Sequence, residues 1–338
     1  MPYSRRKWRL AALVLLAVLL IPGTFWRSEM APVADAQVRF VPLALPSGSS
    51  GDARLTAEAA WEIRSTDPFF GGFSALLARP DGRLTAFSDR GGSITFHPPG
   101  SGNSIPEYQD YLLPGVLDKN GKNAFPDIES VAADPATGRI WLGYENANAI
   151  RQIGDGDASF PLVRPPAMRG WPLNAGVEAM AWLPGKGLLV MRENGGKGLF
   201  FPFDPTSQDG QPQRITYPVP PGYAVTDMAA LPDGRLLVLT RSLALAYPPF
   251  SIRLFLADAP DFESQEGWQW EEIAGSDHHP AADLENIIPR DNYEGIAVSP
   301  RGDGALTVWL VSDDNMAAIQ RSLLVRLRWD PDATASGQ

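Results

Sequence analysis

Polar and apolar positions along this chain fall into a pattern that returns. A polar residue opens a short apolar run, and a turn rich in Pro, Asp and Gly follows. A second apolar run then ends in another polar residue. Five segments share this form: FSALLARPDGRLTAFSDRG (73–91), IESVAADPATGRIWLGYEN (128–146), VEAMAWLPGKGLLVMREN (177–194), TDMAALPDGRLLVLTRS (226–242) and YEGIAVSPRGDGALTVWLVSDDN (293–315). Two short apolar runs around such a turn predict a β-hairpin. Alternation is visible within the second runs, as in Arg139-Ile140-Trp141-Leu142-Gly143-Tyr144. Aligned by eye, the opening polar positions are Ser74, Glu129, Glu178, Asp227 and Glu294, spaced 55, 49, 49 and 67 residues apart.

A period near 50 built of strands predicts an all-β fold, a β-propeller of four-stranded blades. Apolar segments at 198–203, 251–257, 268–273 and 323–329 supply further strands. The chain that wraps from Glu294 through the C-terminus and back to Ser74 leaves room for about one blade. Five blades are therefore expected, with six as the alternative. A strand near Leu55–Ser65 would close the ring against the C-terminal strands and remove the open sheet edges. The long fourth interval predicts a polar face loop around 275–292. No linker interrupts the repeat, so residues 37–330 are read as one domain and 331–338 as a loose tail.

In a hairpin, the start of the first strand and the end of the second lie at the same end. The second runs end in Asp89-Arg90, Glu145-Asn146, Glu193-Asn194, Arg241 and Asp313-Asp314-Asn315. A closed ring would thus gather Glu129, Glu178, Asp227 and Glu294 around one end of the axial channel. Asp89, Glu145, Glu193 and Asp313 would form a partner ring. Packed carboxylates raise one another's pKa unless a cation, an arginine or protonation offsets them. Ca²⁺ or another divalent cation suits an all-oxygen donor set, which makes these eight acids candidate metal ligands. Arg241 stands where the other blades carry an acid. It either neutralises the ring or holds an anionic substrate group. The competing structural reading is that recurring polar residues tie neighbouring blades together through backbone N–H groups.

Composition narrows the chemistry. The 338 residues include 32 glycines, 32 prolines, ten tryptophans and no cysteine, which excludes disulfides, thiol nucleophiles and zinc–thiolate sites. Residues 1–36 read as an export signal, with SRRKWR ahead of the apolar run Leu10–Ile21 and a small-residue site at Ala34-Asp35-Ala36. An uncleaved membrane anchor is the alternative. The expected location is periplasmic or secreted, with membrane contact only if the segment is retained. Without it, 24 basic and 37 acidic residues leave a net charge of −13, which repels nucleic acid. The expected partner is a small-molecule ester or phosphoester, bound by a monomer. No G-x-S-x-G nucleophile elbow is present. Of the three histidines, His97 reads as a surface residue at a strand end, and His278-His279 fall in the polar insertion.

The hairpins resemble the phytase-like family described as esterase-like activity of phytase. The matching residues are Gly71-Gly72-Phe73-Ser74, Ser88–Gly91, Asp127–Ala132, Gly176–Ala181, Thr240-Arg241, Asn292–Ala297 and Ser312–Asn315. Ser130 replaces the glycine usual in the second repeat. The resemblance covers residues 54–330 and implies an exported propeller acting on phosphate or carboxylic esters.

Two functional readings follow. In the first, the chain is a metal-dependent ester or phosphoester hydrolase. Glu129, Glu178, Glu294 and Arg241 carry the reaction, and Arg90, Arg241 and Ser74 meet the substrate, with Lys197 as a further anion clamp. In the second, it is a non-catalytic ligand- or protein-binding propeller with a structural ion.

Overall fold

The computed structural model describes residues 36–331 and 333, apart from 102–105, 110–115, 118–122, 125, 155–161, 174, 208–209, 259, 263–267, 275–283 and 318–319. The export signal or anchor, His278, His279 and nearly all of the tail therefore lie outside the described residues.

The repeated hairpins build five antiparallel sheets arranged as a five-bladed propeller. Blade 1 runs through Phe73–Ala78, Leu84–Ser88, Ser93–Phe96 and Glu107–Gln109. Blade 2 comprises Ile128–Ala133, Ile140–Tyr144, Ala149–Ile153 and Leu162–Val163. Blade 3 comprises Ala179–Leu183, Gly187–Met191, Lys197–Phe201 and Gln213–Thr216. Blade 4 comprises Ala224–Ala230, Leu236–Leu243, Phe250–Ala257 and Trp270–Ala274. Blade 5 takes three strands from the C-terminal side, Tyr293–Pro300, Leu306–Ser312 and Leu323–Trp329. It then takes two from the N-terminal side, Leu55–Ser65 and Val38–Leu43.

The expected closure by Leu55–Ser65 is present: this strand pairs antiparallel with Leu323–Trp329. A fifth strand, Val38–Leu43, then covers its outer edge. Glu58, at the bulge between Ala57 and Ala59, accepts from Arg301 at 2.9 Å and forms an ion pair with Arg326 at 3.1 Å, which ties the closure together. Joining both ends of the chain in one sheet leaves the ring without a free seam.

The strands read as nearly continuous apolar runs because both faces of each blade are buried. Gly187–Met191 and Leu306–Ser312 are buried throughout. Side-chain alternation sends one set to each neighbouring blade. In the second strand of blade 4, Leu237 and Leu239 pack with Tyr293 and Ile296 of blade 5. Leu236 and Val238 pack with Leu189 and Met191 of blade 3. Five apolar clusters result, one at each junction between blades. The first strands of successive blades are neighbours around a closed inner circle.

Short polar links stitch that circle. The buried Ser74 hydroxyl donates to the Ile128 carbonyl of blade 2. Ser130 donates to the Val177 carbonyl of blade 3 at 3.1 Å. One Asp227 carboxylate oxygen accepts the Ile296 N–H of blade 5 at 2.8 Å, and the other accepts the Met228 N–H at 2.8 Å.

Candidate functional site

The first strands do not pair evenly with their partners. In blades 1, 2, 4 and 5 the register skips one residue, respectively Ser74, Glu129, Thr226 and Glu294. In blade 3 the N–H of Glu178 bonds to the same Met191 that pairs with Ala179, at 3.1 Å. A bulge places two residues opposite one and re-aims the extra side chain. Here it turns Glu129, Glu178 and Glu294 into the channel mouth.

The same register moves blade 4 by one position relative to the alignment by eye. Thr226, not Asp227, is equivalent to the three glutamates. Asp227 matches Ser130, Ala179 and Gly295, the position that faces the next blade. A one-residue slip in a strand sends a side chain to the other face. With both oxygens on backbone N–H groups, Asp227 is a blade-to-blade clamp standing outside the acidic ring. Ser74 also lies away from it, with its hydroxyl directed at blade 2.

The ends of the second strands supply a second circle: Asp89, Glu145, Glu193, Arg241 and Asp313. The two circles meet in an open cup of about 170 Å³, lined by Asp89, Glu129, Glu145, Glu178, Glu193, Arg241, Glu294, Asp313 and Asn315. With liquid water occupying about 30 Å³ per molecule, the cup has room for a cation, its inner waters and one small oxyanion. Arg90 is not among these residues. It lines a separate small cleft with Phe69, Phe73 and Tyr108, because its neighbour Asp89 takes the inward direction. Lys197 is exposed at the start of a third strand, and half-buried His97 stands at the end of another.

Backbone geometry sets several of these acids. Gly71 and Gly72 have φ of +127° and +67°, and a Cβ on either would strike the carboxylates of Asp314 and Asp89 respectively. Glycine alone accommodates both demands. Asp314 accepts the Gly72 N–H at 3.0 Å and the Ser322 hydroxyl at 2.9 Å, so it closes blade 5 onto blade 1. Its neighbour Asp313 faces the cup.

Two site residues lay outside the alignment of acids. Asp127 and Asn292 each precede a first strand, two residues before Glu129 and Glu294. Asp127, Glu129 and Glu145 offer carboxylate oxygens that all lie within 4.8 Å of one another. Asn292 donates to Glu294 at 2.9 Å and accepts from Arg241 at 2.5 Å. A polar residue two positions ahead of Glu129 and of Glu294 was the available signal.

The charge balance is lopsided. Burial, with repulsion from Glu178, Glu294, Asp127 and Glu145, pushes the Glu129 carboxyl well above the usual range. Burial and the charges of Glu193, Glu145 and Glu294 do the same to Glu178. Burial, with Glu294 and Asp89 beside it, raises Asp313. Glu145 is pushed up to about 7 by burial and Asp127, although the Gly176 N–H donates to it at 3.2 Å. Asp89 is pushed up to about 6, again chiefly by burial. Burial opposes the charge on Arg241, but Glu294, Glu178 and Glu193 outweigh it and hold the guanidinium protonated. Arg241 pairs directly with Glu294 and lies 3.7 Å from Glu193.

A converging set of hard oxygen donors with too little positive charge of its own suits a divalent cation. The decisive observation is sequence-wide: residues 68–316 match the family described as esterase-like activity of phytase. The chain belongs to the phytase-like family. No curated protein matches it. Among solved structures, a glutaminyl cyclase of Myxococcus xanthus is 13% identical, with 86% of this chain and 98% of that one covered and a TM-score of 0.41. The PQQ-bound aldose sugar dehydrogenase of Streptomyces coelicolor is 13% identical, with 88% and 99% covered and a TM-score of 0.42. Neither likeness carries a residue or an activity across to this phytase-like protein.

Proposed function

We propose that this phytase-like propeller is an exported, monomeric hydrolase of phosphate or carboxylic esters that works with a divalent cation, Ca²⁺ by donor chemistry, in the axial cup. The observation that carries the reading is the placement of Asp127, Glu129 and Glu145 within 4.8 Å of one another, the two glutamates lining the same cup as a fixed guanidinium. All three offer carboxylate oxygen, the donor that Ca²⁺ takes at about 2.3–2.6 Å. When bound, such a cation supplies positive charge that polarises an ester and acidifies water.

The side chains of the chain do the rest. Asp127, Glu129 and Glu145 hold the cation. Arg241, anchored by Glu294 and Asn292, presents its remaining N–H groups to an ester oxyanion, an arrangement that stabilises charge developing during acyl or phosphoryl transfer. Glu178, whose carboxyl retains its proton well above the ordinary range, is placed to give that proton to a leaving oxygen. Burial keeps the donors fixed, so little reorganisation is needed as charge develops.

The test is turnover of an aryl phosphate and an aryl acyl ester by the full chain, before and after exhaustive chelation. Hydrolysis of one of the two, lost on chelation and restored by Ca²⁺, is the expected outcome. A rate that survives chelation unchanged overturns the cation's role. A Ca²⁺-dependent melt without turnover of any ester makes the cup a binding site for a ligand and a structural ion.

A further inference from the structure

The second strand of blade 4 continues past the cup. Its residues Leu237, Leu239, Arg241 and Leu243 share one parity and thus one face. Leu237 and Leu239 are buried against blade 5, and Arg241 lines the cup. The next side chain on that face, Leu243, is 83% exposed, and Leu245 beyond it is fully exposed. The strand pairs to its last residue, with Leu243 opposite Phe250. Arg290 donates to the Phe250 carbonyl at 2.6 Å and the Ala244 N–H to the Pro249 carbonyl at 2.9 Å. The base of this apolar projection is therefore braced, about two residues or roughly 7 Å along the strand from the guanidinium.

The cup itself is lined by polar side chains, and Arg241 is the one cation among its described lining residues. Only one anionic group of a ligand can pair with that guanidinium, and a ligand carrying several phosphates would find no second arginine or lysine in the described lining. From these two observations we infer that the ligand of this site is an amphiphile with one oxyanionic or ester head and an apolar alkyl or aryl body. The head enters the cup at Arg241, and the body lies along Leu243 and Leu245. A polyphosphorylated, polyol-like compound does not fit. This substrate class rests on the hydrolase reading for turnover, but it concerns binding and can be measured without it.

The experiment uses the full chain loaded with Ca²⁺ and three non-hydrolysed or slowly hydrolysed probes: inorganic phosphate, octylphosphonate and inositol hexakisphosphate. Calorimetry should show octylphosphonate binding at least tenfold tighter than inorganic phosphate, and inositol hexakisphosphate no tighter than inorganic phosphate. The double variant Leu243→Ser/Leu245→Ser should weaken octylphosphonate about tenfold or more, the effect of losing one or two buried leucine contacts, and leave inorganic phosphate unchanged. Both residues are exposed, so the variant should fold as the parent does, and its melting curve checks this. Equal affinities for octylphosphonate and inorganic phosphate overturn the proposal, as does tight binding of inositol hexakisphosphate. If the double variant keeps its octylphosphonate affinity but loses sedimentation with phosphatidylcholine vesicles, the projection is a lipid contact and the proposal fails. Probe preference without hydrolysis of any ester would sink the enzymatic reading and leave the ligand class standing.

Discussion

The two sides of the cup solve the same electrostatic problem differently. On the blade 4 and 5 side, Arg241, Asn292 and Glu294 satisfy one another through a direct ion pair and two side-chain hydrogen bonds. On the blade 2 side, Asp127, Glu129 and Glu145 converge, while the one cation among the cup's described lining residues, Arg241, stands on the other side. The first side carries its own counter-ion. The second holds its carboxyls together only by keeping protons or by taking a cation from solution. The asymmetry gives the cup a direction, with unbalanced carboxyls at one wall and a guanidinium at the other.

Removing the built-in counter-ion should produce the largest change. Arg241→Ala leaves Glu294 and Asn292 without their cation in an acidic cup. We expect hydrolysis to fall at least a hundredfold and stability to drop by about 3 kcal/mol, in the range for breaking a partly buried ion pair. Arg241→Lys should recover more stability than activity, since a point charge cannot reproduce the planar fork. Full activity in Arg241→Ala would erase the functional difference between the two walls.

Neutralising the other wall should act with opposite signs on its two readouts. Glu129→Gln should weaken Ca²⁺ affinity by roughly 10- to 100-fold, as loss of one charged ligand does. The metal-free protein should melt a few degrees higher, because a buried repulsion has gone. Calorimetry and thermal melts read the two effects separately. A metal-free melt that falls would mean that Glu129 is a structural acceptor like Asp227.

Asp227 sharpens the contrast from outside the cup. Asp227→Ala strips partners from the Ile296 and Met228 N–H groups and should cost about 2–3 kcal/mol by denaturant titration. Ca²⁺ affinity should stay within twofold of the parent. A large affinity loss at preserved stability would return this carboxylate to the ring.

The smallest effect is in pH. The carboxyls of Asp89 and Glu145 are raised to about 6 and about 7, whereas the unfolded chain loses these protons near pH 4. The folded state binds more protons between those limits. The stability contributed by these groups is therefore complete below about pH 4 and lost as pH climbs through 6 to 7. The metal-free protein should melt a few degrees lower at pH 8 than at pH 5. Ca²⁺ should close that gap and release protons on binding near pH 6. A flat metal-free profile would remove the argument for repulsion on the blade 2 side.

Most of the site could be read from spacing. Glu129, Glu178, Glu294 and the second-strand ends Asp89, Glu145, Glu193, Arg241 and Asp313 recur with the hairpin, and the bulges and strand ends bring them together. The misplacement of Asp227 has a definite cause. Threonine and aspartate are adjacent at 226–227, both are polar, and a count along the sequence cannot show which of them the bulge skips. Asp127 and Asn292 stand within the recurring motifs, yet their roles depend on contacts with Glu145 and Arg241 that no local pattern encodes. Arg90 shows the same limit in reverse, since alternation at the strand end turns it into a different cleft.

The sequence by itself determined the repeat, the all-β character and the chemical type of the cup. Each of these follows from local periodicity and residue identity, which act over a few positions of one strand. Only the tertiary structure decided which polar side chains of the first strands face the axis, which serve as clamps between blades, and which partners Arg241 takes. Those outcomes hang on register and on contacts across blade junctions. A single-residue bulge there exchanges the two faces of a strand, while the apolar pattern that folds it stays the same.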